Sequence, residues 1–337
     1  MPEPIDLNAL SDAIRRSRDA FVEQTEPHRP ALWDYCLRLT GSPWDAEDLV
    51  QETMLRAFAR LGNFWQPIRD GRAYLFRTAT NTWIDGLRRA RSEAVRRDVA
   101  LDDLDAIPGA EAADAAVHAR EALAHLVAAL PPRQRVVLLL ADVFEFRNRE
   151  IGAMIGVTEG AVKALLHRAR TTLRESRAAA ADPAPTARRP VELSPEEQAI
   201  LARFVDAFNR KDPDALLELL DADAATVIVG VAEEHGRDVI RDQSLAEEIT
   251  NPTPQTAELG FLFGEPVVLV YTPPPDQPRT LGWIIRLGLS AGKICRWYSY
   301  YFTPELIRHA AAAIGVPASP AGYRYIFAGT AEPLPTP

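Results

Sequence analysis

Lys163, His167, Arg170 and Arg174 recur at three- and four-residue spacing in the stretch "GVTEGAVKALLHRARTTLRE". With Thr158 as the N-cap of a helix, Val162, Leu165, Leu166, Ala169 and Leu173 fall on one face. Glu159, Lys163, His167, Arg170 and Arg174 fall on the other, and no acid follows Glu159 until Glu175. A face that only needs water ordinarily alternates in sign, so a one-signed stripe fits a polyanion. Arginines such as Arg168 and Arg170 can neutralise phosphates or read guanine, and Lys163 or His167 could reach base edges. Upstream, Ile151, Met154 and Ile155 mark a short helix over about 149–155 that Gly156 breaks. Helix, glycine turn and capped basic helix together give the layout of a helix-turn-helix. The simpler alternative is a packed helical pair with a solvated charged face.

A second segment, "RAYLFRTATNTWIDGLRRARSEAVRR", interleaves Tyr74, Phe76 and Trp83 with Arg72, Arg77, Asn81, Arg88, Arg89 and Arg91. Rings beside cations can stack unpaired bases while the cations hold the backbone. Phe76 and Trp83 fit a core role as well. Asn81 could read an unpaired base edge or cap local backbone. A third segment, "DAEDLVQETMLRAFARLGNF", repeats Ala46, Leu49, Val50, Thr53, Met54, Ala57, Phe58 and Leu61 along one apolar face. Asp45, Asp48, Gln51, Glu52, Arg56 and Arg60 lie opposite. Ser42 is the expected N-cap, Pro43 the first helical residue and Gly62 the stop.

The elements that must position these residues form a chain of 337 residues, long enough for two or three domains. No apolar run of membrane-spanning length and no signal-peptide pattern occurs, so a cytoplasmic protein without membrane contact is expected. Cys36 and Cys295 stand far apart, which speaks against a disulfide framework or a metal cluster. No cofactor is expected. The net charge of −9 is uneven: from Pro190 onward there are 11 Lys and Arg against 20 Asp and Glu, while the first 189 residues balance at 27 each. Attraction between the acidic tail and the basic helices could favour a closed form.

The expected plan is a helical domain over 10–92, a linker over 93–118 and a helix-turn-helix domain over 119–177. A Pro- and Ala-rich linker over 178–194 then leads to an α+β domain over 195–337. In the last, "SPEEQAILARFVDAFNRKDPDALLELL" reads as two helices interrupted at Asp212-Pro213, with Ser194 as a cap. Strand-like runs follow, and "SAGK" reads as a hairpin turn.

The three helical segments, with "LPPRQRVVLLLADVFEFRNREIGAMIGVTEGAVKALLHRAR", resemble the extracytoplasmic-function (ECF) type of bacterial RNA polymerase sigma factors over about 20–177. The resemblance implies a promoter-specificity subunit, not an enzyme. Asp48, Gln51 and Glu52 would contact the clamp helices of the polymerase core, and the flap would be a further contact. Arg77, Asn81, Trp83, Asp85, Arg88 and Arg89 would engage the -10 element of promoter DNA. Thr158, Glu159, Lys163, His167, Arg168 and Arg170 would engage the -35 element. The acidic "LDDLDAIPG" matches the family's connector by position only.

The C-terminal block, through "FVDAFNRKDPDALLELLDADA" and "TVIVG", resembles the SnoaL-like branch of the nuclear-transport-factor-2-like (NTF2-like) fold, a cone of curved sheet wrapped by helices. A fused domain of this kind implies regulation in place of a separate anti-sigma protein. The "DGGGK"- and "WLPEP"-type motifs of one such group are absent; "SAGK" and "VELSPEEQ" stand nearest. A small hydrophobic ligand would be lined by Phe208, His235, Tyr271, Trp283, Trp297 and Tyr298, most of which fit a core equally. His235, Asp206 and Asp221 are the candidates for acid–base work in an enzymatic alternative.

Overall fold

The structure, a computed structural model, describes residues 7–61, 68, 70–96, 130–179, 193–246, 248, 251, 253–272, 279–319, 323–324 and 332–333. The chain divides into two compact units, Met1–Arg188 and Arg189–Pro337.

The first unit is helical. Helices α1 (Leu7–Thr25), α2 (Arg29–Thr40), α3 (Pro43–Leu61) and α4 (Gly71–Arg96) come first. Then follow α5 (Pro132–Leu138), a π-turn over Leu139–Val143, α6 (Asn148–Ile155) and α7 (Glu159–Ala179). Helix α4 runs through Gly86 and continues to Arg96, into the segment expected as linker, with no glycine or proline after Gly86 to stop it before then. Helix α7 likewise runs past 177 to Ala179. The acidic connector and the expected stop at Gly62 lie outside the described residues.

Helix α3 begins as its sequence dictates: Ser42 Oγ accepts from the Asp45 N–H at 3.3 Å, and Pro43 leads the first turn. Ala46, Leu49, Val50, Thr53 and Ala57 are buried, and Met54, Phe58 and Leu61 are half-buried. Glu47, which belongs to neither expected face, is fully buried. It accepts from Arg29 Nη2 at 2.8 Å and from Gln51 Nε2 at 2.7 Å. Two independent partners keep that carboxylate from being an uncompensated buried charge.

The α6–α7 turn is built on two glycines. Gly156 ends α6 with φ 72°, a left-handed conformation that costs glycine least. Thr158 Oγ1 accepts from the Ala161 N–H at 3.2 Å and caps α7. Gly152 answers a different need: a Cβ there would stand 2.7 Å from the Val157 carbonyl oxygen, so the following turn closes directly over its bare Cα. Val162, Leu165, Leu166 and Ala169 are buried and Leu173 is half-buried, the face set by the 100° periodicity.

In the second unit α8 (Pro195–Asn209) starts with a capping box, Ser194 with Glu197, and α9 (Pro213–Leu219) is capped by Asp212. Six strands follow: β1 (Leu220–Ile228), β2 (Ala232–His235), β3 (Thr256–Leu262), β4 (Glu265–Thr272), β5 (Thr280–Ser290) and β6 (Lys293–Tyr300). Their order is β2-β1-β6-β5-β4-β3, antiparallel except for β1 with β6. The "SAGK" turn is a two-residue hairpin with Ala291 and Gly292 both at positive φ, 49° and 73°. Register shifts in β4–β5 and β5–β6 bend the sheet around Phe204 and Phe208 of α8, which fill its inner face with Trp283 and Trp297. Helix α10 (Pro304–Ile314) packs against β5. This is the α+β cone that the SnoaL-like resemblance implies.

Gly152→Ala is expected to destabilise the first unit by about 1–3 kcal/mol, the range for a forced steric clash in packed surroundings. Gly160→Ala, whose Cβ would meet only Thr158 Oγ1 at 3.9 Å, is expected to stabilise it by about 0.5–1 kcal/mol through helix propensity. Urea unfolding of the two variants checks the opposite signs.

Candidate nucleic-acid and polymerase interface

Helix α7 presents Lys163, His167, Arg168, Arg170 and Arg174 to solvent. Lys163, His167, Arg170 and Arg174, with Arg147 and Asn148 at the start of α6, line a groove of about 650 Å³. Arg168 is exposed outside that lining. Glu159 pairs with Lys163 at 2.8 Å, one helical turn on, and its carboxyl is held below the ordinary glutamate range by that lysine. Thr158, expected as a contact to DNA, has its hydroxyl oxygen engaged in capping. Arg170 is not an open cation: its Nε and Nη2 reach Asp142 at 3.1 and 2.6 Å. Asp142 and Arg147 were missed by sequence reasoning, since they precede the helix whose periodicity drew attention.

Helix α4 divides its residues by face. Phe76 is fully buried, which settles its core role. Trp83 is half-buried, and the Arg135 guanidinium of α5 lies 5.4 Å from its ring centre. Arg77, Arg88 and Arg89 are exposed. Asn81, Asp85 and Arg88 line a cavity of about 260 Å³ with Arg60 and Ile84, closed on its other side by Arg133, Val136, Ile155 and Val157. Asp85 pairs with Arg88 at 3.2 Å. The two helical blocks thus meet across the residues expected to contact the -10 element.

What joins the blocks is aromatic. Phe144 and Phe146, between the π-turn and α6, enter the α2–α4 core, with ring centres 5.4 Å (Tyr35–Phe144), 5.1 Å (Phe76–Phe144) and 5.2 Å (Phe76–Phe146) apart. Arg72 Nη2 donates to the Phe144 carbonyl at 2.7 Å, and its guanidinium lies 4.5 Å from the Phe146 ring centre. At the other end Arg135 Nη1 donates to the Leu39 carbonyl at 2.5 Å, with burial lowering its pKa to about 10. Tyr35 is fully buried and shares a 2.8 Å hydrogen bond with Thr80, and burial pushes its phenol far above the ordinary 10.

On α3, Asp48 is exposed, while Gln51 and Glu52 are half-exposed. Glu52 takes a bond of 2.5 Å from Arg56 Nε, and Gln51 is held by the buried Glu47. One turn beyond Glu52 and two beyond Asp48, Leu55 stands 60% exposed, an apolar residue within a polar ridge that periodicity alone did not mark.

Residues 25–93 match the Sigma-70 region 2 family and residues 120–173 the Sigma-70, region 4 family. The ECF RNA polymerase sigma factor SigL of Mycobacterium tuberculosis is 36% identical over 151 residues, 44% of this chain and 84% of SigL. The chain belongs to the ECF RNA polymerase sigma factors. SigG of the same organism is 36% identical over 248 residues, and the match spans 65% of each chain, so this chain covers just under two thirds of that relative. The crystal structure of M. tuberculosis SigJ is similar at 22% identity and a TM-score of 0.33, covering 88% of this chain and all of that one.

In the second unit of this sigma factor the expected ligand pocket is not assembled. Phe208, Trp283 and Trp297 are buried against one another and against Phe204, with Phe204–Trp297 centres 5.0 Å apart and Phe208–Trp283 centres 6.0 Å apart. Tyr271 is buried beneath the Arg279 guanidinium, 4.2 Å from its ring centre. Tyr298 is half-buried on β6. His235 ends β2 with 67% of its side chain exposed, 3.6 Å from Glu233, and Asp206 is exposed on α8 beside Arg210. The aromatics make core contacts because the bent sheet closes on α8, which leaves beside Phe208 a space of about 20 Å³, room for a water molecule. Among the described residues no group of His, Cys, Asp and Glu could hold a metal ion, and no helix is long and apolar enough to cross a membrane.

Tyr35 supplies a pH test of the joined blocks. Its folded pKa is raised, so its contribution is complete below the unfolded value and declines as the pH passes the ordinary 10 of an exposed tyrosine. Tyr35→Phe is expected to cost about 1 kcal/mol for the lost hydrogen bond. The fall of stability above about pH 10 should also be shallower in that variant. Denaturant melts of both proteins from pH 8 to 11 measure the difference.

Proposed function

We propose that the chain is a promoter-specificity subunit that directs bacterial RNA polymerase core to initiate transcription, with a C-terminal domain that regulates it. The observation that carries the reading is the capped helix α7, whose buried face is apolar and whose open face holds Lys163, His167, Arg168 and Arg174 without a free acid among them. Membership of the ECF sigma factors supports the same reading. Residues 10–92 bind core and the -10 element and residues 119–177 bind the -35 element, through the linkers outlined from the sequence. Residues 195–337 form the regulatory SnoaL-like domain.

In this reading Asp48, Gln51 and Glu52 dock on the clamp helices of core. Arg77, Asn81, Asp85, Arg88 and Arg89 hold the melted strand, with Trp83 at its side. Thr158, Glu159, Lys163, His167, Arg168 and Arg170 meet the -35 duplex. Cations on α7 exchange condensed counterions for phosphates, so binding weakens steeply with salt. The protein acts in the cytoplasm, where polymerase and promoters are.

Transcription in vitro with core polymerase tests the whole reading. Full-length protein or residues 1–188 should start transcripts at a cognate promoter; no specific initiation by either removes the reading. A difference in initiation between the two is expected from a regulatory C-terminal domain, and equal activity removes that part alone. Lys163→Ala is expected to weaken duplex binding across sequences and to lower the log–log salt slope by about one. Filter binding between 50 and 200 mM salt reads that slope.

A further inference from the structure

We propose that Asp142 is a positioning residue that presents Arg170 to one guanine of the bound duplex. This rests on the reading of α7 as the helix that meets duplex DNA.

Both carboxylate oxygens of Asp142 are used on one edge of the Arg170 guanidinium: Nε donates to Oδ2 at 3.1 Å and Nη2 to Oδ1 at 2.6 Å. A planar guanidinium carries five N–H donors in a fixed fork. Fixing the Nε–Nη2 edge leaves the Nη1–Nη2 edge with its own pair of donors and a defined plane. That spacing matches the O6 and N7 acceptors of guanine in the major groove. An arginine fixed in plane beforehand loses less side-chain freedom on reaching a base than one that waves from the helix.

The carboxylate itself is well held. Asp142 belongs to the π-turn Leu139–Val143, in which Leu139 and Leu140 are buried. The turn closes with Phe144 N–H on the Leu139 carbonyl at 3.0 Å and Phe146 N–H on the Leu140 carbonyl at 2.9 Å. Glu145 then takes a left-handed φ of 59°, which lets Phe144 and Phe146 both turn inward. Arg72 secures the Phe144 carbonyl from α4. Functional groups carried on such a packed segment keep their geometry.

Arg170 is 53% and Asp142 36% exposed, so solvent and salt screen whatever the pair adds to folding, while its bidentate geometry still fixes the guanidinium plane. Asp142 also lines the groove that Arg147, Lys163, His167 and Arg174 make basic. A carboxylate there repels phosphates unless it is spent on an arginine. The pair gives up one unit of positive charge in return for a fixed reading edge, a trade that favours selectivity over general affinity.

Selection from a randomised duplex library, with full-length protein bound to core polymerase, tests the proposal. The wild type should enrich a guanine at a position where Arg170→Ala loses the preference. Asp142→Asn should lose about tenfold of the preference at that same position while binding non-specific duplex at least as tightly as the wild type, because the freed Arg170 can neutralise a phosphate; Asp142→Glu should restore part of the preference. Asp142→Asn keeping the full preference overturns the proposal, as expected of an acid that merely masks Arg170. If Arg170→Ala alters no position while Lys163→Ala still weakens binding, the proposal fails and the reading of α7 stands. If neither variant changes DNA binding, both fail.

Discussion

The first unit depends on four rings. Tyr35 and Phe76 from α2 and α4, with centres 5.0 Å apart, receive Phe144 and Phe146 from a segment some seventy residues further along the chain. Contacts of this kind add about 0.5–1.5 kcal/mol per pair beyond the area they bury. They bring the π-turn with them and thereby fix where α6 starts and where Asp142 stands. Arg72 joins the cluster from two sides, through a carbonyl and through ring faces. Without those rings the helix-turn-helix would still cap and pack locally, but it would lose the aromatic contacts that register it on α4. The cavity lined by Asn81, Asp85 and Arg88 follows from that registry, because Val136, Ile155 and Val157 close it only while the rings are seated. At about 260 Å³ it is smaller than the pockets that enclose drug-sized ligands. On the proposed reading, a nucleic-acid strand that reaches those residues has to part α4 from α5 and α6.

Much of this was legible in the sequence wherever the cause is local. Ser42, Thr158, Ser194 and Asp212 each cap a helix where their side chains and the following residues imply one. The buried face of α7 follows from a 100° step and five apolar residues. The "SAGK" hairpin follows from glycine after a small residue between two apolar runs. The misses have long-range causes. Glu47 looks like one more acid on α3 until Arg29, eighteen residues earlier, is folded against it. Gly152 looks like an ordinary helix residue until the Val157 carbonyl arrives over it. Asp142 and Arg170 lie 28 residues apart, with a π-turn that no periodicity announces between them.

In the second unit residue type left two readings open, and packing separates them. Phe208, Trp283 and Trp297 are the residues with which a ligand cavity could be lined, and equally those with which a bent sheet fills its own hollow. Which outcome holds depends on volume. Helix α8 brings Phe204 as well as Phe208 to the inner face, and Phe204 meets Trp297 edge to face. Among the described residues two phenyl rings pack against two indoles on the inner face, as in close-packed interiors that hold few voids larger than a water. His235 stands apart from them at the end of a short edge strand, its imidazole largely in solvent beside Glu233 at 3.6 Å.

Charge belongs to the same distinction between sums and places. The total of −9 describes no surface of the molecule, because all of it arises from Pro190 onward and the preceding part balances. Screening in physiological salt acts over about 8 Å, so an approaching polyanion responds to the charges of one groove and not to the chain's total. Lys163 and Arg174 are eleven residues apart on α7, roughly 16 Å along the axis at 1.5 Å per residue. With Arg147 in the lining of the same groove, they form a field about two screening lengths long. The acids of the same groove and helix start are already engaged, Glu159 by Lys163 and Asp142 by Arg170. Arg147, Lys163 and Arg174 set the sign of that surface, and pairing with Asp142 converts Arg170 from a source of affinity into a source of direction. A surface whose cations divide in this way, some neutralising and one aimed, is what a protein needs to hold any duplex weakly and one sequence well.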